Sequence, residues 1–127
     1  MRPFSFKAPK GLEADLDWLS VATGLSRPEI IRQAVRETLD YIRERGELPR
    51  TSYVPYGDGS WRLHPFTVRV EDRLYRELER AAARLNVPMS EVVRTALYRY
   101  IERKGRKLRP YRGKYIRVYY GGLRSLW

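Results

Sequence analysis

The stretch HPFTVRV, from His64 to Val70, alternates apolar and polar residues, and a matching stretch, RPFSFKA, runs from Arg2 to Ala8. A period of two with aromatic and β-branched residues predicts a short strand that buries one face. The two stretches therefore predict two strands, 62 positions apart. The residues expected on their inner faces are Phe4, Phe6, Ala8, Phe66, Val68 and Val70.

Two amphipathic helices are predicted after the first strand. Leucines at helical spacing from Leu12 to Leu19 mark the first helix, and Gly24 stops it. The motif SRPE, Ser26–Glu29, has the form of a capping box, in which Ser26 caps a helix start and the Glu29 side chain reaches back. This second helix carries an apolar stripe from Ile30 to Ile42 and is expected to end at Gly46.

The second strand is followed by the same pattern. Glu71 opens a helix that Asn86–Pro88 breaks, and another helix follows from Met89 to a stop near Gly105. The two units align without a gap. Identical pairs are Pro3/Pro65, Phe4/Phe66, Leu12/Leu74, Leu16/Leu78, Glu29/Glu91, Arg32/Arg94 and Ala34/Ala96.

A repeat of this size has a physical reason. One strand and two helices, in about 45 residues, cannot bury a core, and a single strand has no partner for its ladder. Two units solve both problems when their strands pair antiparallel and their second helices cross. The predicted fold is mainly α with a two-stranded antiparallel β-ribbon, a tandem unit that forms an intramolecular pseudo-dimer.

The charge of the chain points to a polyanionic partner. Its 127 residues include 26 Lys and Arg against 15 Asp and Glu, a net charge of +11, and nine of the basic residues follow Glu102, the last acidic one. Nucleic acid is the commonest such partner. The chain has no cysteine and one histidine, which excludes disulfides and disfavours a zinc site. No nucleophile–base pair and no phosphate loop is found, so no catalytic residue, metal or cofactor is predicted and the chain is not expected to be an enzyme.

Four segments are expected along the chain. Residues 1–46 form the first copy, 47–64 a proline- and glycine-rich linker, 65–105 the second copy, and 106–127 a basic, tyrosine-rich extension. The linker and the extension together predict a small accessory β-hairpin, with YGDGS in one turn and Gly121-Gly122 in another.

The strand–helix–helix pattern, with a second helix opening GLSRPEIIRQAV, resembles the ribbon-helix-helix family of DNA-binding regulators, the group of the Arc and MetJ repressors. The resemblance covers about residues 3–46 and 65–105. It implies that the paired strands enter the major groove and that the start of each second helix holds a phosphate. Tandem, basic regulators of this kind are similar to some encoded by archaeal viruses.

The resemblance assigns site residues by position. The outward side chains of the ribbon would contact bases: Ser5, Lys7, Thr67 and Arg69. The starts of the second helices and the basic tail would contact phosphates: Ser26, Arg27, Pro88, Met89, Ser90, Arg106, Lys107, Arg109, Arg112 and Lys114. Pro88 stands where the first copy has the capping Ser26. The phosphate contact at the start of the second helix of copy two, the second clamp, is therefore expected to be weaker unless Ser90 shifts the helix start.

Purely structural roles also fit several of these residues. The outward ribbon residues fit the solvated face of an ordinary strand, and Arg32 and Arg94 fit ion pairs with Glu29 and Glu91. His64 fits a loop residue beside Pro65. The tyrosines of the tail either stack on bases or pack on the linker hairpin.

Three functions are therefore compared. The first is a sequence-specific regulator of transcription, a repressor that binds double-stranded DNA; the second is a nucleic-acid coating or architectural protein; the third is an antitoxin-like module whose tail binds a protein. The composition predicts no membrane span and a cytoplasmic location, the host cytoplasm for a viral protein. The chain is expected to fold as a monomeric pseudo-dimer or a dimer, with higher-order assembly on DNA.

Overall fold

The computed structural model describes residues 1–54 and 62–119, with side chains up to Gly105. Within these residues the chain forms two strands and four helices in the order strand, helix, helix, twice over. The elements are β1 (Arg2–Pro9), α1 (Gly11–Thr23), α2 (Arg27–Arg45), β2 (Leu63–Val70), α3 (Asp72–Leu85) and α4 (Met89–Tyr119). The predicted fold class, mainly helical with a two-stranded antiparallel ribbon, is confirmed.

The ribbon has one pair of equivalent positions, Ser5 and Thr67, at its centre. Ser5 lies opposite Thr67, and Phe6 lies opposite Phe66 with the ring centroids 5.5 Å apart and nearly parallel. The predicted inner face is confirmed, since all six of its residues are buried. The strand β2 begins at Leu63, so His64 lies in the ribbon opposite Ala8, and its assignment to a loop was wrong.

The helix ends follow the predicted stop signals. Gly24 and Gly46 adopt left-handed backbone conformations, with φ of 76° and 70°, and Asn86 does the same with φ of 56°. These positions close α1, α2 and α3, because glycine and asparagine tolerate the left-handed region that other residues avoid.

Only half of the predicted capping box forms. Ser26 Oγ accepts a hydrogen bond from the Glu29 backbone N–H at 3.3 Å. In the described part of the chain the Glu29 carboxylate contacts Arg32 rather than the Ser26 backbone. A cation one turn away offers that carboxylate a charged partner, which outcompetes the neutral N–H.

The helix α4 is longer than predicted. It continues past Gly105 to Tyr119, so the expected stop near Gly105 was wrong. The position that corresponds to Gly46 is Leu108, which favours the helical conformation and resists the left-handed one. Residues 114–119, expected as the first arm of an accessory hairpin, are therefore helical; YGDGS and Gly121-Gly122 lie outside the described residues.

The core is built by both halves of the chain. The second helices α2 and α4 pack against each other, and the first helices and the ribbon close the core around them. All the predicted stripe residues of α2 and α4 are buried: Ile30, Ile31, Ala34, Val35, Leu39, Ile42, Val92, Val93, Ala96, Leu97, Tyr100 and Ile101. Burial of this shared surface is what neither unit could supply alone.

The linker closes one side of this core. The ring of Tyr53 stacks on Tyr98 with centroids 5.0 Å apart, and its hydroxyl donates to the buried carboxylate of Asp15. Beside it, Ser52 donates from both its backbone N–H and its hydroxyl to Glu102. The start of the linker is thereby fixed between α1 and α4.

Candidate nucleic-acid interface

The outer face of the ribbon exposes four polar side chains, those of Ser5, Lys7, Thr67 and Arg69, beside the apolar Pro3, Pro65 and Leu63. Ser5 Oγ and Thr67 Oγ1 lie 3.0 Å apart at the centre of the ribbon, where the two residues face each other. Lys7 and Arg69 lie on either side, and neither makes an ion pair within the described residues. The four side chains thus form a row with a polar centre and a cation at each end.

Two prolines set the geometry of this row. Pro65 lies opposite Lys7, and Pro3 lies opposite Arg69. Proline has no N–H and fits a strand only where that group would point away from the partner strand. The pairs on the outer face are therefore of the type without mutual hydrogen bonds, in which opposite side chains approach most closely.

At the start of α2, the positive charge of Arg27 is partly neutralised by carboxylates of α1. Ser26 is exposed and uses its hydroxyl to cap the Glu29 N–H. Pro28 has no N–H, so of the first two residues of α2 only Arg27 carries a backbone donor. The Arg27 guanidinium lies 3.5 Å from Glu13 and 3.3 Å from Asp17, both on α1. This cation is therefore shared with two carboxylates.

The second helix start keeps more donors. The helix α4 begins at Met89, so Ser90 does not shift its start. The Pro88 carbonyl accepts from the N–H groups of Glu91 and Val92. The backbone N–H groups of Met89 and Ser90 have no acceptor among the described residues, and two successive free donors at a helix start suit an anion.

Arg32 and Arg94 occupy equivalent positions in α2 and α4. Their predicted ion pairs with Glu29 and Glu91 are confirmed at 3.7 Å and 2.8 Å. Each arginine also donates to a ribbon carbonyl of the other half, at 2.9 Å in both cases: Arg32 to Arg69 and Arg94 to Lys7. The identity of Arg32 with Arg94 was the sequence signal for this contact, and the ion-pair interpretation missed it.

The basic residues of the tail lie on the C-terminal part of α4. These are Arg106, Lys107, Arg109, Arg112 and Lys114. Their side chains lie outside the described part, as do the side chains of the tail tyrosines. Their expected contacts with phosphate therefore stay predictions.

Burial shifts the pKa of three groups on α4. It raises the pKa of Tyr98, against the pull of Arg94, and raises that of Tyr100, whose hydroxyl donates to Gln33 at 2.9 Å. Burial also lowers the pKa of Arg99, helped by the nearby Arg103. Both tyrosines therefore stay neutral, and none of the three groups lies on the ribbon.

The described residues provide neither a metal-binding cluster nor a transmembrane helix. No cluster of histidine, aspartate and glutamate there could hold a metal ion. No helix there is long and apolar enough to cross a membrane.

Comparison with protein families identifies a match in the second half of the chain. Residues 64–104 match the model of the ribbon-helix-helix protein, copG family. The matched range covers β2, α3 and the first half of α4. Searches of curated proteins and of solved structures found no significant match. The matched range is about a third of the chain, and within it the chain is similar to a family whose members are typically DNA-binding transcription regulators. The two-stranded antiparallel ribbon and the helices of the described structure are consistent with the ribbon-helix-helix architecture.

Proposed function

We propose that the chain is a sequence-specific regulator of transcription, a repressor, that reads double-stranded DNA with its ribbon. The observation that carries this proposal is the outer face of the ribbon. Its inner residues are buried, whereas Ser5, Thr67, Lys7 and Arg69 point outward without ion-pair partners in the described structure. A two-stranded ribbon fits the width of the major groove, and these side chain types hydrogen-bond base edges.

Each side chain would have a separate task. The planar guanidinium of Arg69 can donate two parallel hydrogen bonds to O6 and N7 of guanine. Lys7 supplies a single point charge at the other end of the row, and the hydroxyls of Ser5 and Thr67 accept and donate at the centre. The chain therefore reads two different half-sites, an imperfect palindrome.

The two helix starts would hold the flanking phosphates. Ser26 and Arg27 act on one side, and Pro88, Met89 and Ser90 act on the other through the backbone. The second clamp is the stronger one in this proposal, contrary to the expectation from the missing serine cap. Met89 and Ser90 both keep free N–H groups, whereas Arg27 is shared with Glu13 and Asp17.

The two strand–helix–helix units would act as a pair of tandem ribbon-helix-helix copies in one chain. Members of the family usually bind DNA as dimers, and here β1 pairs with β2 of the same chain. The extension beyond Gly105 would add contacts to phosphates without reading bases. The protein would act in the cytoplasm, where its DNA is, and in the host cytoplasm for a chain of archaeal-virus origin.

A binding selection with purified protein tests this function. A pool of random double-stranded DNA should yield one imperfect palindrome, bound about 10³-fold or more tightly than bulk DNA at physiological salt. A reporter placed behind that site should lose expression when the protein is present, as a repressor requires. Enrichment of no sequence, with tight binding to all DNA, would favour the coating or architectural function.

A further inference from the structure

Two arginines tie the ribbon of each half to the helix core of the other. Arg32 Nη1 donates to the Arg69 carbonyl, and Arg94 Nη1 donates to the Lys7 carbonyl, at 2.9 Å each. Arg32 lies in the first half and Arg69 in the second, and the reverse holds for Arg94 and Lys7. Both bonds therefore cross between the halves, and they are related by the same offset of 62 positions as the repeat.

These bonds satisfy carbonyls that the ribbon itself leaves free. Because Pro65 faces Lys7 and Pro3 faces Arg69, the backbone groups at Lys7 and Arg69 point to the open edges of the ribbon. A carbonyl at the edge of the ribbon has no donor on the partner strand, so it must accept a hydrogen bond from water or from another part of the protein. The structure places an arginine at each one.

Each arginine is itself held in place. The second nitrogen, Nη2, contacts the glutamate one turn earlier, Glu29 for Arg32 and Glu91 for Arg94. The two arginine side chains are only 14% and 18% exposed. A guanidinium can bridge a carboxylate and a carbonyl with fixed geometry, which a lysine ammonium cannot reproduce. The backbone at Arg69 is thus joined to the second turn of α2, and the backbone at Lys7 to the second turn of α4.

We infer that Arg32 and Arg94 are positioning residues for base reading, each acting on the half-site read by the other half of the chain. This inference rests on the proposed function, in which Lys7 and Arg69 contact bases. Arg32 sets the position of the backbone that carries Arg69, and Arg94 does the same for Lys7. Neither arginine needs to touch DNA for this role.

The test measures base preference at every position of the selected site for Arg32→Gln, Arg94→Gln, Arg69→Ala and Lys7→Ala. Arg43→Gln is the matched control, since Arg43 is an exposed arginine on α2 that forms an ion pair with Asp40. Arg32→Gln should weaken binding to the best site about tenfold, the value of one charge-assisted hydrogen bond. It should relax the half-site that Arg69→Ala relaxes, while Arg94→Gln relaxes the other. Affinity for bulk DNA should change little, because no phosphate contact is lost.

The double variant Arg32→Gln/Arg69→Ala makes the test sharper. In a chain that already lacks the Arg69 side chain, Arg32→Gln should reduce the base preference of that half-site little further. The effects of the two substitutions on base preference should therefore not add. A pure loss of stability would instead affect both half-sites and the bulk DNA alike. Should Arg32→Gln fail to fold, Arg32→Lys keeps the charge and one donor and should relax the same half-site more weakly.

Three results would overturn the inference. One is relaxation of the Lys7 half-site by Arg32→Gln; another is an equal loss on all sequences, which would mean that Arg32 contacts phosphate or only stabilises the fold. The third is an unchanged base preference in folded Arg32→Gln while Arg69→Ala relaxes its half-site. If Arg69→Ala itself leaves base preference unchanged, the proposed function is wrong, because the ribbon would then not read bases. That result is separate from the three above.

Discussion

At the scale of single residues, the ribbon combines two similar but unequal sets of side chains. Ser5 and Thr67 meet at the centre, while Lys7 and Arg69 occupy equivalent positions toward the two ends. Their backbones are held alike by Arg94 and Arg32, so the difference between the half-sites lies in the side chains themselves. Lysine and arginine differ in geometry and donor number, which makes an asymmetric site the expected one.

The first prediction compares these two cations. Replacing Arg69 by alanine should cost roughly 1–3 kcal/mol of binding free energy on the best site and relax one half-site, because a forked contact to guanine is lost. Lys7→Ala should cost less. Both are measured on a panel of single-base variants of the site. An equal loss on all sequences after Arg69→Ala would mean that Arg69 contacts only phosphate.

The second prediction concerns the buried contact of the linker. Tyr53→Phe removes the hydroxyl that donates to Asp15 while keeping the ring on Tyr98. A buried carboxylate that loses a donor should lower the free energy of unfolding by about 1–3 kcal/mol. Urea unfolding measures the change, with Val54→Ala as control, since Val54 is 68% exposed. Equal effects of the two substitutions would show that the hydroxyl contributes nothing.

At the scale of elements, the repeat has been modified differently in each helix. The first helix of copy one, α1, carries Glu13 and Asp17, which hold Arg27. The equivalent positions of α3 are Tyr75 and Glu79, and the position of Arg27 is taken by Met89. The two helix starts therefore offer DNA a shared cation on one side and bare backbone donors on the other.

The third prediction follows from that neutralisation. The double change Glu13→Gln/Asp17→Asn should free Arg27, tighten DNA binding and steepen the log–log salt dependence by about one unit. Salt titration of binding to the selected site measures this. Asp40→Asn is the control, because it frees Arg43, which lies near the other end of α2. Unchanged binding in the double variant would show that Arg27 makes no phosphate contact.

The fourth prediction concerns the C-terminal part of α4. Replacing Arg106, Lys107, Arg109, Arg112 and Lys114 by glutamine keeps the chain length and removes five charges. Since each phosphate contact contributes ~0.9 to the salt slope, the slope should flatten by about four units, and base preference should survive. Arg43→Gln/Arg45→Gln, at the end of α2, is the control. Lost base preference with an unchanged slope would mean that the tail does not act on phosphates.

At the scale of the whole molecule, one chain supplies both halves of the ribbon and of the core. The strands β1 and β2 pair along their full length, and α2 packs against α4. The segment between Gly46 and Leu63 joins the halves, and its first part is fixed by Ser52 and Tyr53. A short tether gives an effective concentration of about millimolar, so pairing within the chain should outcompete pairing between chains.

The fifth prediction is therefore a folded monomer at low concentration without DNA. Sedimentation should give a mass close to 15.1 kDa, with the helical signal of the folded state unchanged on dilution. A dimer that persists and loses its fold on dilution would show that the halves are exchanged between chains. Assembly of several chains on DNA is compatible with either result.

Local patterns of the sequence were sufficient for the elements and their buried faces. A period of two specified the inner faces of both strands, a helical period specified the stripes of α2 and α4, and Gly24 and Gly46 marked two helix ends. These features depend on residues within a few positions of each other, so they can be read without the fold. The outward row of the ribbon followed from the same alternation.

Only the tertiary structure decided which distant groups meet. Arg32 and Arg69 are 37 positions apart, and Tyr53 and Asp15 are 38 apart, so no periodicity predicts their contacts. The sharing of Arg27 with α1 likewise depends on how two helices pack. Helical spacing reports which side of an element is apolar, but the hydrogen bonds and ion pairs between elements depend on their packing in space, which the shared core of the two halves sets.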